Sequence, residues 1–152
     1  MNINRVIADI EISKRCCRSE NNPTNDEYFY DAAAYHIQQA IEKELKYILH
    51  NIYGMDDKLR SFRTHNISTL LLYLGRYNSD FVQNKCQSLI EMSDTLTSWE
   101  ASCRYGEDIV STRRDIEKAI TIAEDTLSKI QDLEKSMTRD ESLSIDEEEY
   151  ER

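Results

Sequence analysis

The segment EYFYDAAAYHIQQAIEKELKYILHNIY, residues Glu27–Tyr53, decides the fold of this chain. It contains neither glycine nor proline, and its apolar residues recur at steps of three and four, which places them on one face of an α-helix. That apolar face consists of Phe29, Ala33, Ile37, Ile41, Leu45, Ile48 and Ile52. Thr24 and Glu27 have the spacing of a capping box at the start of the helix, and Gly54 is suited to end it in the left-handed conformation. Because a helix with one apolar face is not stable alone, other segments must cover it.

Four further segments show helical periodicity. They run from about Asn4 to Arg18, Ile67 to Leu74, Ser79 to Ser98 and Ser111 to Met137. The pattern breaks around Gly106, and no stretch of useful length alternates as a strand does. Two long helices, two of intermediate length and a short one, joined by short connections, predict an all-α, up-and-down bundle of four or five helices.

Composition and charge divide the chain into a bundle and a tail. With 152 residues, three glycines and one proline, the chain has the size of one domain and suits long helices. Residues 139–152 hold seven acids and two arginines, so they carry −5 of the net charge of −10. We therefore predict a helical bundle over residues 1–137 and a disordered acidic tail over residues 138–152. This balance disfavours a protein dedicated to coating nucleic acid.

The sequence lacks the patterns of a metal site, a cofactor site or a membrane span. Its cysteines are Cys16, Cys17, Cys86 and Cys103, without the CxxC or Cys/His spacing of metal ligands. No glycine-rich phosphate loop is present, so neither a metal nor a cofactor is predicted. The longest apolar run, Leu70–Leu74, is too short to cross a bilayer, and the first residues lack the apolar run of a signal peptide. The expected location is the cytoplasm, with reduced thiols.

Three segments together resemble the HEPN domain family. YHIQQAIEKELKYIL, Tyr35–Leu49, is similar to the signature helix of these domains, with its aromatic residue, glutamine pair and Glu-Lys-x-x-Lys pattern. RTHNISTLLLYL, Arg63–Leu74, resembles the family's histidine followed by a leucine-rich short helix, and WEASCRY, Trp99–Tyr105, resembles its aromatic-to-Arg-Tyr element. Gly106 replaces the usual proline after that element. The resemblance covers about Ile3 to Met137.

This resemblance implies a helical bundle, often a homodimer, that partners a nucleotidyltransferase or binds a nucleotide. Other members are ribonucleases that need no metal and use an Arg-x(4–6)-His motif across the dimer. That motif would start at Arg104, but Ile109, Val110 and Ser111 occupy the positions for histidine. Elsewhere in the chain, Arg60 and His65 have the required spacing.

Each candidate site residue has a functional and a structural interpretation. Arg60 and His65 are candidates for catalysis, or His65 caps or bonds the backbone at the start of the short helix. Lys43 and Lys46 are candidates for binding nucleotide phosphates, or they lie on a solvated face where Lys46 pairs with Glu42.

The other candidates are aromatic residues and the remaining histidines. Arg104 and Tyr105 are candidates for stacking on a base, or they pack a corner of the bundle. His36 is predicted to be packed and hydrogen-bonded, and His50 to be solvated. The central helix carries more tyrosines than one core face needs, which favours a dimer interface there: Tyr28, Tyr30, Tyr35, Tyr47 and Tyr53.

Three functions therefore stay open. The leading hypothesis is a non-catalytic, homodimeric binding protein for a nucleotidyltransferase, a nucleotide or both. The first alternative is a metal-independent ribonuclease, such as a toxin or phage-defence component, that uses Arg60 and His65. The second is an interaction adaptor without a nucleotide. The missing histidine after Arg104 favours a protein that is not an enzyme.

Overall fold

The chain folds into six α-helices in the described residues, which contain no strand. The computed structural model describes the backbone of residues 2–18, 27–107 and 111–150, and the side chains of these except 27–28 and 139–150. The helices are α1 (Ile3–Cys17), α2 (Glu27–Tyr47), α3 (Ile67–Tyr77), α4 (Ser79–Lys85), α5 (Gln87–Arg104) and α6 (Arg113–Tyr150). The predicted all-α bundle is confirmed. The capping box predicted for Thr24 and Glu27 lies outside the described side chains.

Helix α2 is the centre of the bundle and contacts α1, α3, α5 and α6. Its predicted apolar face is buried from Ala33 to Ile48, and Ile37, Ile41 and Leu45 are fully inaccessible to solvent, whereas Phe29 at the start of the face is 41% exposed. Alanines beside them let α1 pack closely, and the Ser13 hydroxyl of α1 donates a hydrogen bond of 2.8 Å to the Ala33 carbonyl. Burying each large side chain stabilises the fold by about 1.5–3 kcal/mol, so this face holds the other helices in place.

A π-helical turn, Ile48–Ile52, extends α2 to its end at Gly54. Gly54 has a φ of 74°, and the Met55 N–H donates to the Leu49 carbonyl at 2.8 Å, so the predicted glycine-terminated end is confirmed. The prediction that His50 is solvated is wrong. Its ring is half-buried and its Nδ1 donates to the Met55 carbonyl at 2.7 Å, because the turn folds the chain back over the helix end.

The predicted helix over Ser79–Ser98 is two helices that meet at Cys86. The backbone leaves helical geometry there, with a φ of −118° and a ψ of 20°. Apolar residues continue at helical spacing across the break, so periodicity alone does not reveal it. The side chain that caps α4 is Asn78, whose Oδ1 accepts from the Phe81 N–H at 3.0 Å. Helix α5 continues to Arg104, and the chain then turns at Gly106, where φ is 69°.

Helix α6 continues to Tyr150, beyond the end predicted near Met137. Residues after 137 form no apolar stripe, so periodicity does not predict a helix there, although glutamate is itself a good helix former. The predicted division of the chain at 138 stays a prediction. None of the helices in the described part of the chain has both the length and the apolar character that a membrane span requires.

Candidate functional site

The most unusual feature of α2 is a set of polar side chains buried inside the bundle. Gln38 is fully inaccessible, Glu42 is 5% exposed and Lys46 is 9% exposed. Burying charged and amide groups is costly unless they find hydrogen-bond partners. Each of these groups therefore needs a partner inside the bundle.

Glu42 accepts contacts from three directions. Its Oε1 accepts from Gln38 Nε2 at 3.2 Å and from His65 Nδ1 at 3.0 Å, and its Oε2 accepts from Lys46 Nζ at 3.2 Å. The Lys46 ammonium also lies 5.8 Å from the centre of the Phe62 ring. The predicted pairing of Glu42 with Lys46 is confirmed, but the pair is buried rather than on a solvated face.

A second buried carboxylate, Glu100 of α5, lies beside the first. Its Oε1 is 3.9 Å from His65 Nδ1, and its Oε2 is 3.6 Å from Arg104 Nη2. The Arg104 guanidinium in turn lies 5.0 Å from the centre of the Tyr105 ring. The Glu100 side chain is only 8% exposed. The side chains of His65 and Arg104 are 42% and 48% exposed, and Tyr105 is 70% exposed. We refer to His65, Arg104 and Tyr105 as the exposed rim.

The contact with Glu42 assigns the tautomer of His65. A carboxylate only accepts, so Nδ1 carries the proton that it donates to Glu42, and Nε2 is the ring nitrogen that this contact does not use. His65 thus bonds carboxylates rather than backbone groups, and the side chain that caps α3 is Asn66, which accepts from the Thr69 N–H at 3.0 Å.

A third carboxylate, Asp9 of α1, holds a further pair of polar side chains. We refer to the polar groups around Glu42, Glu100 and Asp9 as the polar layer. Its two oxygens accept from His36 Nδ1 at 2.9 Å and from Lys43 Nζ at 2.6 Å. His36 is therefore packed and hydrogen-bonded, as predicted. Burial raises the pKa of the Tyr35 phenol, and nearby acidic groups raise it further: Cys103, Asp9, Glu100 and Glu42. All four groups are near enough to the Tyr35 phenol to disfavour its ionisation.

The structure separates the predicted site residues into two sets. Arg104 is connected to His65 through the Glu100 carboxylate, and Tyr105 contacts Arg104. Lys43 and Lys46 instead neutralise Asp9 and Glu42 within the chain. Among the described side chains, the ion-pair and hydrogen-bond partners of His65 are Glu42 and Glu100, and Arg60 is not one of them. The catalytic and nucleotide-binding roles of all six predicted site residues stay predictions.

Two residues that organise this layer, Asp9 and Glu100, were not among the residues predicted from the sequence. Both left a signal. Asp9 interrupts the apolar face of α1, directly before Ile10, and a carboxylate in such a position needs a cationic partner. Glu100 lies four residues before Arg104, the spacing of a helical ion pair.

The described residues contain no group of three or more His, Cys, Asp or Glu side chains arranged to hold a metal ion. The layer instead contains the carboxylates of Asp9, Glu42 and Glu100, balanced by the cations of Lys43, Lys46 and Arg104. The groups that remain accessible at its edge are an imidazole, a guanidinium and an aromatic ring. Such a combination suits an anion joined to a flat ring system.

A comparison with protein families gives one match: the family model described as HEPN domain matches residues 10–133. No curated protein and no solved structure matches the chain.

Proposed function

The chain belongs to the HEPN domain family, and from this membership we propose that it is a binding protein that takes up a nucleotide at the exposed rim. The observation that carries the proposal is the Arg104 guanidinium 5.0 Å from the centre of the Tyr105 ring, with Tyr105 70% exposed and the Arg104 side chain 48% exposed. Tyr105 offers a face on which a base stacks, and Arg104 offers N–H donors for a phosphate.

The contact between Arg104 and Glu100 leaves the guanidinium able to bind a ligand. The two groups are 3.6 Å apart and Arg104 is 48% exposed at its side chain, so solvent weakens this ion pair. A doubly charged phosphate competes well for such a donor because the charge-assisted bonds it accepts are strong. His65, fixed by Glu42, adds a group that can donate from Nε2 when protonated.

The charge of the chain favours a small ligand over long nucleic acid. The net charge of −10 repels a polyanion, and Lys43 and Lys46, which would extend a phosphate track, are already paired with carboxylates. The proposed ligand is therefore a mononucleotide or a short oligonucleotide. A homodimer and a nucleotidyltransferase partner belong to the same proposal and are supported by the family resemblance.

Calorimetric titration with AMP, ADP, ATP and tetraadenylate tests the nucleotide site. Tyr105→Ala and Arg104→Ala are expected to weaken binding by roughly 5- to 150-fold each, since a stacked base contributes about 1–3 kcal/mol. Arg76→Ala is the matched control, since Arg76 is an exposed arginine in the last turn of α3 and outside the rim, and it is expected to bind as wild type does. The proposal fails if no nucleotide binds, or if the rim variants bind as tightly as wild type. Failure of all four nucleotides would leave the ribonuclease and adaptor hypotheses.

A second candidate function is RNA cleavage without a metal, and one observation favours it. His65 and Arg104 contact opposite oxygens of the same Glu100 carboxylate, at 3.9 and 3.6 Å, so one phosphate group is within reach of both. His65 would then transfer a proton through Nε2 and Arg104 would stabilise charge on the phosphate. This assignment pairs His65 with Arg104 instead of Arg60.

RNA degradation in the presence of a chelator distinguishes the two pairings. If His65→Ala and Arg104→Ala abolish cleavage and Arg60→Ala does not, the pair at the rim is responsible. If Arg60→Ala abolishes cleavage, the pairing predicted from sequence spacing is responsible. If wild type leaves RNA intact, the ribonuclease candidate is refuted and the binding function is favoured.

A further inference from the structure

A second group of cationic side chains lies where the end of α1 meets the start of α6. A groove of about 290 Å³ runs between the two helices there, and none of its described lining residues belongs to the exposed rim. Lys14 and Arg18 line it from α1, one helical turn apart, and Arg113 lines it from α6. We refer to this depression as the α1–α6 groove. An anion bound in it would be held from both helices.

The two guanidinium groups of the α1–α6 groove keep donors free for a ligand. Arg18 is exposed, and its side chain makes no hydrogen bond or ion pair with the described residues. Arg113 donates from Nε to Glu117 at 2.9 Å, which leaves its two Nη groups without a partner among those residues. The Arg113 side chain is 48% exposed. A guanidinium presents its donors as a fork that matches two oxygens of one phosphate group.

Lys14 adds a third positive charge, although it is shared with carboxylates outside the groove. Its Nζ lies 3.4 Å from Glu124 and 3.8 Å from Glu11, and both of these carboxylates are about half exposed. Long, solvated ion pairs of this kind contribute little to stability. A ligand with several negative charges can therefore compete for the Lys14 ammonium.

The charge of the α1–α6 groove is opposite in sign to that of the chain. Three cations and one carboxylate, Glu117, line the groove, so it carries +2, whereas the whole chain carries −10. The C-terminus of α1 and the N-terminus of α6 meet here with opposite helix dipoles, so the side chains set this sign. Two further lining residues, Cys17 and Ile120, are buried. Such low-dielectric surroundings strengthen the attraction for an anion.

We propose that the α1–α6 groove binds a small anion that carries a diphosphate group. Arg18 and Arg113 face each other across the groove, so each guanidinium can take one of the two phosphates, and Lys14 adds a point charge beside them. Glu117 repels such a ligand and occupies the Nε of Arg113, so it limits the affinity. The inference concerns a site separate from the exposed rim and does not depend on nucleotide binding there.

Calorimetric titration of the full chain with inorganic diphosphate tests the proposal. Arg18→Ala and Arg113→Ala are each expected to weaken binding about tenfold, which corresponds to about 1.4 kcal/mol. The matched control is Arg114→Ala, which removes an exposed arginine next to Arg113 but outside the lining of the groove, and it should bind as wild type does. All three positions are exposed, and circular dichroism checks that each variant is folded.

Glu117→Gln gives a second measurement of opposite sign. It removes the negative charge from the lining and releases the Nε of Arg113, so diphosphate should bind about 2- to 5-fold more tightly than to wild type. A structural role for Glu117 alone would not strengthen binding. Unchanged or weaker binding by this folded variant would contradict the assigned geometry.

Three other ligands define the chemistry that the groove recognises. Inorganic phosphate and citrate should each bind at least about tenfold more weakly than diphosphate, because neither offers two phosphate groups. Equal binding of either one overturns the diphosphate assignment. Methyl diphosphate distinguishes the source of the group: binding equal to that of inorganic diphosphate supports recognition of an ester, and much weaker binding supports recognition of the free ion.

Two results with diphosphate itself would overturn the site. One is the absence of binding to wild type at millimolar concentration, and the other is an equal loss of affinity in Arg114→Ala. Tyr105→Ala separates this site from the exposed rim. It should bind diphosphate as wild type does, and a loss of binding there would place the anion at the rim instead of in the α1–α6 groove.

Discussion

Replacement of Glu44 by methionine is expected to stabilise the fold and to flatten its pH dependence. Glu44 lies on the core side of α2 with no accessible surface, and neither of its carboxylate oxygens has a hydrogen-bond partner among the described residues. Burial raises the pKa of this carboxyl well above its ordinary value of 4.5, and the negative charge of Asp125 raises it further. Folding therefore favours the neutral form of this side chain.

The sign of the pH effect follows from this raised pKa. Below pH 4.5 the carboxyl is protonated in both the folded and the unfolded chain. Above it the unfolded chain loses the proton while the folded chain keeps it, so stability falls by about 1.4 kcal/mol per pH unit until the folded pKa is reached. The contribution of Glu44 to folding stability is thus most favourable at low pH, and it begins to decrease near pH 4.5.

Urea denaturation of wild type, Glu44→Gln and Glu44→Met from pH 4 to pH 8 measures both effects. Methionine has a similar length and no unpaired polar atom, so at pH 4 it should add about 1–3 kcal/mol, the cost of one unsatisfied buried group. A gain of about 2 kcal/mol corresponds to a rise of roughly 4–8 °C in Tm for a chain of this size. Glu44→Gln should match wild type near pH 4 and exceed it increasingly as pH rises.

Comparison of wild type with Glu44→Gln isolates this one carboxyl, because the other groups titrate in both proteins. Glu91→Gln, at an exposed position of α5, controls for the loss of one negative charge and should follow wild type. Parallel stability curves for wild type and Glu44→Gln across the whole range would refute the argument, since they would mean that Glu44 ionises in the folded chain as it does in the unfolded one.

Three further predictions concern other parts of the fold. Glu42→Ala should lower the free energy of unfolding by about 3 kcal/mol, because it leaves the Lys46 ammonium buried without its partner. In urea denaturation, the double variant Glu42→Leu, Lys46→Met should recover most of that lost stability. Cys103 is exposed, whereas burial raises the pKa of Cys86 to about 11. Pulse labelling with a thiol reagent, followed by mass spectrometry, should therefore show Cys103 modified first. Equal labelling rates for the two thiols would contradict the fold. Gly54→Ala should cost about 1 kcal/mol from backbone strain alone, because its φ is +74° and no atom lies within 4 Å of the added Cβ, and a neutral result in the same assay would exclude that strain.

The candidate site was predictable in its parts but not in its assembly. His65, Arg104 and Tyr105 belong to separate segments, and sequence spacing paired His65 with Arg60 because only residues close along the chain can be compared in that way. In the folded chain Glu42 reaches His65 across 23 positions of sequence. Which carboxylate meets which cation depends on how α2, α3 and α5 pack, and no local pattern encodes that choice.

Sequence alone determined the all-helical character of the chain, the core of the apolar face of α2 and its end at Gly54, because helical periodicity and the left-handed preference of glycine act over a few neighbouring residues. Only the tertiary structure decided that Lys46 is buried against Glu42, that Glu44 is buried without a partner and that α4 and α5 separate at Cys86. Polar residues on a helix have the same spacing whether they face water or another helix. Their environment, and with it their charge state and availability to a ligand, is fixed by contacts between segments that are distant in the chain.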